Sequence, residues 1–435
     1  MAVQVLRLSH ISFHVSNSKR LARDLAHRFR FQLCGSRETG LARQLVLRNG
    51  SAVFLVNESP GGTCSELGSR DLLYDVAVAH AVDSACNVSF EVKDVERATL
   101  CLDRLGCRVL VPPRLVEDEL GCVTYSVVRS VLGNVCHTLI DRSGYRGDFL
   151  PGFDPPPCPG DWAQQQQQQQ AVGGPVAITH FDHITYVCPR RQSAHIMDWY
   201  RSCFGFQRLL VSRNEDVDEG YVIEETDIGL RLTCMEYWKC SEVGMSMPMT
   251  KEKKIDCKFV IAESLSYSGK NHVDTFLEHH HGAGIQHVGL YTTDIVSTCK
   301  SLKDAGVEFF SPPLVYYTET GKWQEIMKAG QDPELLSQYG VLLDTEVDDE
   351  FHEGEAECQG PAHKKRYLMQ IFTKPIFAED TLFLELIERK GALGFGGGNI
   401  RALWKCVQTC IDQQEDKKIV KEISARNGLA SDVNS

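Results

Sequence analysis

The chain has 435 residues, of which 43% are hydrophobic and 24% charged, and its formal net charge is −12 at neutral pH. This length exceeds one ordinary hydrophobic core, so we expect two domains, and the acidic balance excludes nucleic acid as the main partner. No apolar run is long enough to cross a membrane. The 17 cysteines are scattered without a Cys-x-x-Cys pair, which indicates reduced thiols in an intracellular compartment.

The N-terminal segment is basic, with six lysines and arginines against one acidic residue, Asp24, among residues 1–31. This balance is typical of a mitochondrial presequence. The same residues also read as a strand over 6–15 and an amphipathic helix over 22–31. Composition therefore leaves open whether the segment is a targeting sequence, a part of the fold, or both.

Within each half of the chain, strand-like runs and amphipathic helices follow the order strand, helix, several strands, and then the same order again. The first helices are expected over 21–29 and 194–204, and the second over 91–106 and 292–306. This order predicts an α+β fold of four βαβββ modules, two per half. We expect their antiparallel strands to curve into two open half-barrel domains, each with a central pocket.

Residues 151–175 separate the two halves and are rich in proline, glutamine and glycine. Such a composition cannot bury a core and indicates a linker. We therefore expect a first domain over 1–150, a second over 176–410 and a polar tail over 411–435.

The two halves also repeat each other. The segment that begins at Asn87 aligns with the one that begins at His287, without a gap, so that Asp94 matches Asp294. Further matching blocks lie in the same order along both halves: 9–15 with 182–188, Phe29-Arg30-Phe31 with Phe204-Gly205-Phe206, Gly106 with Gly306, and 137–142 with 384–389. Several coincident blocks in one order indicate a duplication.

Three polar residues of the second half lie on apolar, strand-like runs: His183, His287 and Glu385. The repeat places other residues at the matching positions of the first half: His10, Asn87 and Thr138. A single histidine on such a run is more often a core residue than a ligand. If all three residues only filled the core, however, there would be no reason for the complete set of potential ligands to occur in the second half alone. The comparison predicts a metal site in the second half and a metal-free first half.

Two imidazoles and one carboxylate on one face of a metal form the ligand set of non-haem Fe(II) oxygenases. Zinc also accepts two histidines and a glutamate, so the ligands alone leave the metal open. Alternation along two of the predicted strands places further side chains on shared faces. Phe383, Glu385 and Ile387 share one face, and Leu368, Gln370 and Phe372 share another. Such walls predict an apolar pocket for a small aromatic ligand.

Four segments in fixed order resemble the C-terminal half of the 4-hydroxyphenylpyruvate dioxygenase family: GAGIQHVGL, YLMQIFTKP, TLFLELIERKG and GFGGGNIRALW. The resemblance covers Leu6 to about Val407 and is strongest after Gly282. It implies the vicinal oxygen chelate fold and Fe(II) held by His183, His287 and Glu385. It also implies oxidative decarboxylation of a small aromatic 2-oxo acid with O₂, and a homo-oligomer.

The resemblance implies roles for five further residues of the pocket. Gln286 and Gln370 match glutamines near the substrate, and Phe372 and Phe395 match aromatic residues that clamp the substrate ring. Asn399 stands at the start of a final helix that covers the pocket in the family. We therefore expect catalytic roles for Gln370, Phe372 and Phe395 and substrate contacts from all five. Because neighbours on a regular strand face opposite sides, Gln286 needs a bulge to reach the pocket, or else lies behind the metal ligand.

The sequence departs from the family at the positions that hold the phenolic end of the substrate. Ala262-Glu263-Ser264 stands where the family has Asn-Glu-Pro, and His272 replaces a glutamine. These departures favour benzylic hydroxylation to 4-hydroxymandelate, which a divergent branch of the family is implied to supply for the ubiquinone head group in mitochondria.

Three other functions stay open at this stage. One is attack on the ring to form homogentisate in tyrosine catabolism, and another is a non-catalytic ligand-binding relative, which the complete ligand set disfavours. The third is a glyoxalase-like or ring-cleaving enzyme of the same fold, against which Gln370 and the C-terminal helix speak. A cytoplasmic location is the alternative to the mitochondrion.

Overall fold

The computed structural model of the protein describes residues 2–59, 72–76, 82–155, 176–211, 215–216, 219–225, 228–237, 257–265, 271–346, 366–379 and 381–402. Most of the predicted linker, the end of the second predicted domain and the predicted tail lie outside these residues. The first linker residues still contact the first sheet, since the backbones of Ser36 and Asp154 exchange two hydrogen bonds of 2.9 Å. No helix among the described residues is long and apolar enough to cross a membrane.

The described residues of the first half form one eight-stranded sheet with two helices. Its elements in chain order are β1 (Val5–His14), α1 (Ser18–His27), β2 (Gln32–Glu38), β3 (Arg43–Asn49), β4 (Ala52–Glu58), β5 (Ser84–Val92), α2 (Val95–Arg104), β6 (Val109–Asp118), β7 (Gly121–Arg129) and β8 (Cys136–Asp141). The strands lie in the order β2-β3-β4-β1-β5-β8-β7-β6. The basic N-terminal segment thus forms β1 and α1.

The second half forms a matching sheet of nine strands. Its elements in chain order are β9 (Ile178–Cys188), α3 (Ser193–Phe204), β10 (Phe206–Leu209), β11 (Tyr221–Glu225), β12 (Ile228–Tyr237), β13 (Lys258–Ser264), α4 (His272–His279), β14 (Gly284–Thr292), α5 (Ile295–Asp304), α6 (Val315–Thr318), α7 (Thr320–Lys328), α8 (Pro333–Tyr339), β15 (Leu342–Glu346), β16 (Arg366–Phe372) and β17 (Phe383–Lys390). Residues 397–402 are helical at the end of the described chain.

The strand order of the second sheet is β10-β12-β13-β9-β14-β17-β16-β15, with β11 beside β12. Each sheet therefore joins two βαβββ modules edge to edge through an antiparallel pair, β1 with β5 and β9 with β14. The four predicted modules are confirmed, and most of their neighbouring strands are antiparallel as expected, but one pair in each module is parallel. In every module the first strand pairs in parallel with the last, because the chain returns to it through a helical crossover and the intervening strands.

The duplication is visible in the backbone. Asp94 and Asp294 both cap a helix, and each carboxylate accepts a hydrogen bond from the amide three residues later, at 2.9 and 3.0 Å. Gly106 and Gly306 follow these helices with φ of 82° and 88°. Arg30 adopts φ of 60° where the second half has Gly205 with φ of 71°. The repeat therefore preserves a left-handed turn even where the residue is not glycine.

One apolar cluster includes buried side chains of both halves, so the two sheets share a core. Aromatic rings meet across it, with centroid distances of 5.2 Å between Phe54 and Phe181 and 5.5 Å between Phe90 and Phe204. A second cluster packs within the first half alone and includes Tyr74, Tyr125 and further apolar residues.

Candidate metal centre

The three predicted ligands lie together on one buried face of the second sheet. Glu385 Oε2 is 3.1 Å from His183 Nε2 and 3.6 Å from His287 Nε2. The donor atoms of all three residues lie within 4.8 Å of one another, and each residue is at most 6% exposed. Two imidazoles and a carboxylate at this spacing could hold a metal ion. The assignment of these residues as its ligands stays a prediction.

Strand register explains why residues about 100 positions apart converge. The central strand β14 pairs with β9 on one side and β17 on the other, and Gly289 stands opposite both His183 and Glu385. Paired residues share a face of the sheet, so these side chains point to the same side as His287, two residues before Gly289. A Cβ atom at residue 289 would lie 2.4 Å from two ring atoms of His183. Glycine at this position therefore leaves the space in which the imidazole lies.

Two bulges adjust the side chains around this face. Ile285 pairs with Tyr186 and His287 with Thr185, so Gln286 is an extra residue in β14. The required bulge is therefore present at Gln286, whose buried Oε1 has no hydrogen-bond partner among the described residues. A second bulge at Asp182 in β9 allows adjacent side chains to meet, and His183 Nδ1 lies 3.0 Å from Asp182 Oδ1.

Charged groups behind His183 influence its protonation. Burial opposes a charge on this imidazole, but the carboxylates of Glu385 and Asp182 outweigh burial and raise the pKa of His183 to about 9. Burial also favours a neutral Asp182, yet the Arg389 guanidinium beside it holds the pKa of this carboxyl well below its usual range. The donor set thus attracts positive charge, as a metal site should.

Hydrogen bonds also join Glu385 to the C-terminal helix. Gln370 donates from Nε2 to Glu385 Oε1 at 2.9 Å, and its own Oε1 accepts from Asn399 Nδ2 at 3.0 Å. Asn399 accepts in turn from the hydroxyl of Tyr316 at 2.9 Å. Gln370 and Asn399, predicted as substrate contacts, therefore stand in one hydrogen-bonded chain with Glu385. Their contact with a substrate stays a prediction.

Aromatic side chains surround the donors. Phe383 stacks on His287 with ring centroids 4.6 Å apart, and Phe372 meets Phe383 at 6.3 Å. Phe395 lies edge-on to His183 at 5.2 Å. Phe372 and Phe395 thus contact different members of the site. Their predicted clamp on a substrate ring stays untested.

His272, which replaces a glutamine of the resembled family, is buried at the start of α4. Burial lowers its pKa to about 3, so the imidazole is neutral at neutral pH. Burial chiefly, and then the neighbouring His183 and His272, hold the pKa of His287 well below its usual range. His287 is therefore neutral at neutral pH.

The matching positions of the first half are joined by hydrogen bonds. His10 Nε2 lies 3.0 Å from the hydroxyl of Ser89, the residue that corresponds to Gly289. Asn87 donates to Thr138 Oγ1 at 2.8 Å and to Asp75 Oδ1 at 3.1 Å. The carboxylate of Asp75 and the side chains of its neighbours therefore occupy this region.

A second group of potential donors also lies in the first half: His14, Asp75 and Cys86. Asp75 already accepts hydrogen bonds from Asn57, Asn87 and the amide of Val76. Burial holds the pKa of the Cys86 thiol well above its usual range, which disfavours the thiolate that a metal requires. This group is better explained as a buried polar network than as a metal site.

Sequence reasoning missed three residues that organise the second-half site: Asp182, Tyr316 and Arg389. Gly289 was recognisable from the sequence, since this glycine flanks a candidate ligand and replaces the serine of the first half. Asp182 carried a similar signal, because the matching residue is Ser9. Arg389 and Tyr316 gave none, since each acts on a residue far away in the chain.

Comparisons with known proteins agree with this architecture. Residues 180–333 match a model of the Glyoxalase/Bleomycin resistance protein/Dioxygenase superfamily. A triple mutant of 4-hydroxymandelate synthase from Streptomyces coelicolor superposes with a TM-score of 0.68 at 22% identity, covering 94% of this chain and 99% of that one. This likeness shows the fold, and the predicted α+β vicinal oxygen chelate architecture is confirmed.

Sequence relatives cover nearly the whole chain. The 4-hydroxyphenylpyruvate dioxygenase-like protein of Rattus norvegicus is 42% identical over 412 residues, which are 94% of this chain and 98% of the relative. Its counterpart in Homo sapiens is 42% identical over 414 residues, with the same coverage. The 4-hydroxyphenylpyruvate dioxygenase of Xenopus tropicalis is 28% identical over 431 residues, which are 97% and 95% of the two chains.

Proposed function

This chain belongs to the family of 4-hydroxyphenylpyruvate dioxygenase-like proteins, and from that premise we propose that it is an Fe(II)-dependent dioxygenase. Its proposed substrates are O₂ and 4-hydroxyphenylpyruvate, which is a small aromatic 2-oxo acid. The observation that carries the proposal is the convergence of His183, His287 and Glu385 on one buried face. A facial set of two imidazoles and one carboxylate leaves positions open for a chelating substrate.

The residues around the donors fit a metal ion. Asp182 engages Nδ1 of His183, so Nε2 is the nitrogen that faces Glu385. Gln370 occupies Oε1 of Glu385, which leaves Oε2 for the metal. Bound Fe(II) would supply the Lewis-acid and redox chemistry for decarboxylating a 2-oxo acid with O₂. The phenyl rings beside the donors would exclude water and contact the aromatic part of the substrate.

We propose benzylic hydroxylation, which yields 4-hydroxymandelate, as the outcome for the substrate. Glu263 accepts hydrogen bonds from the Ser193 amide at 3.0 Å and from Arg231 at 3.2 Å, so its carboxylate is already engaged in the fold. His272 offers a neutral imidazole in place of the glutamine of the family. The phenolic end of the ring would then be held differently, with the benzylic carbon toward the metal. The product would supply the ubiquinone head group in mitochondria.

Product identification tests the proposal. The full chain would be reconstituted anaerobically with Fe(II), mixed with 4-hydroxyphenylpyruvate, ascorbate and O₂, and its products identified by chromatography and mass. We expect 4-hydroxymandelate and carbon dioxide in equal amounts. Glu385→Ala is the control, and it should lose both iron and turnover because one of the three proposed ligands is gone.

Other outcomes each select another function. Formation of homogentisate would show that the enzyme attacks the ring of the substrate and not its benzylic carbon. Bound iron without any product would indicate a ligand-binding relative. Unchanged iron content in Glu385→Ala would refute the ligand assignment itself.

A further inference from the structure

A buried chain of charged groups connects His183 to the segment that precedes the C-terminal helix. Arg389 donates through Nε and Nη2 to the two carboxylate oxygens of Asp182, both at 2.7 Å. Asp182 in turn lies 3.0 Å from His183 Nδ1. The remaining guanidinium nitrogen of Arg389 donates to the carbonyl of Gly394, and its carbon lies 5.3 Å from the centre of the Phe395 ring. One guanidinium therefore contacts both the carboxylate beside His183 and the segment around Phe395.

The first half provides an internal comparison. Arg142, which matches Arg389, also donates to the carbonyl of the glycine five residues later, at 2.7 Å. Phe149 packs edge-on against His10 at 5.2 Å, as Phe395 does against His183. These contacts occur in both halves and therefore belong to the architecture of the repeat.

The two halves differ in the group between the arginine and the histidine. In the first half the residue before the histidine is Ser9, whose hydroxyl lies 3.1 Å from His10 Nδ1. In the second half a carboxylate stands at this position and accepts a bidentate pair from Arg389. A carboxylate hydrogen-bonded to the outer nitrogen of a metal-bound imidazole fixes its orientation and raises its basicity. The half with the complete donor set is thus the half with this carboxylate.

We propose that Asp182, held by Arg389, is the positioning residue for His183, and that through Arg389 metal binding and docking of the Phe395 segment stabilise each other. The inference rests on the proposed metal centre and goes beyond it, because it assigns a coupling between the centre and the C-terminal segment. Coupling of this kind is reciprocal: a metal that orders His183 must also favour the docked segment. A purely structural ion pair would hold β9 to β17, but metal binding would then leave the docking of the Phe395 segment unchanged.

Asp182→Ser tests the inference, since it gives the second half the arrangement of the first. Asp182→Asn keeps the shape and removes the charge, and Arg142→Gln is the matched control in the first half. Two quantities would be measured on the full chain. The first is the dissociation constant for Co(II), by competition with a chromophoric chelator. The second is hydrogen exchange of peptides covering residues 391–402, with and without Co(II).

We expect both Asp182 variants to bind Co(II) about 10- to 100-fold more weakly, and to lose the added protection that metal gives residues 391–402 in the wild type. Arg142→Gln should leave both quantities unchanged. Wild-type affinity in both Asp182 variants, or metal-dependent protection that survives in them, would overturn the inference. These readouts need no turnover. A chain that shows the coupling but forms no product would refute the proposed function while the inference stands.

Discussion

Gly289→Ala should remove metal binding while leaving the fold intact. The new Cβ would lie 2.4 Å from Cε1 and Nδ1 of His183, whereas ordinary contacts begin near 3.4 Å. The imidazole would therefore have to move by roughly 1 Å, which is several times the tolerance of about 0.2 Å in a metal–ligand distance. Overpacking of this kind typically costs about 1–3 kcal/mol of stability, so the variant should still fold.

The first half supports this reasoning. Ser89 stands at the matching position and its hydroxyl lies 3.0 Å from His10 Nε2, the nitrogen that corresponds to the proposed metal donor. A side chain here is therefore compatible with the folded sheet but engages the imidazole. We expect Gly289→Ser to resemble Gly289→Ala in metal binding.

The assay is the dissociation constant for Fe(II) or Co(II), measured anaerobically beside the thermal unfolding midpoint. We expect a loss of affinity of at least about 100-fold, the upper range for residues that only support a ligand. Gly321→Ala is the control, because a Cβ there meets nothing within 4 Å. Wild-type affinity in a folded Gly289→Ala protein would refute the claim that this glycine makes room for His183.

Three further predictions follow from the same structure. Gln370→Leu should weaken metal binding about tenfold, because Glu385 loses the amide that holds its second oxygen; an unchanged dissociation constant would contradict this role. His10→Ala should leave the metal stoichiometry at one ion per chain, and a lower ion count by elemental analysis would show that the first half also binds metal. Burial lowers the pKa of His10 and of His137 to about 4, while an unfolded histidine titrates near 6.5. Unfolding therefore takes up two protons at these two residues between these values, and His272 and His287, whose pKa values burial also lowers, add to the uptake. Stability should thus fall by at least about 3 kcal/mol per pH unit as pH drops below 6.5; urea unfolding at pH 7, 6 and 5 would measure the slope, and a flat profile would refute the prediction.

The sequence was informative wherever a feature is encoded in neighbouring residues or in the repeat. Alternating apolar residues indicated the strands, and the two halves could be aligned without any structure. That alignment singled out His183, His287 and Glu385, because the first half keeps only one of the three potential donors at the matching positions. It also matched Arg30 with Gly205, and the structure then showed that these two residues share a left-handed turn.

Tertiary structure alone decided how these residues act together. The parallel pairing of β14 with β17 places Glu385 beside Gly289, and no local pattern encodes which strands become neighbours. Arg389 reaches Asp182 across 207 positions of the chain, and Tyr316 reaches Asn399 across 83. Strand propensities depend on short stretches of chain, whereas a buried charge or hydrogen bond is stabilised only by the partner that folding brings to it. The sequence by itself thus determined the modules and the candidate donors, and the packing of the sheet determined what orients these side chains.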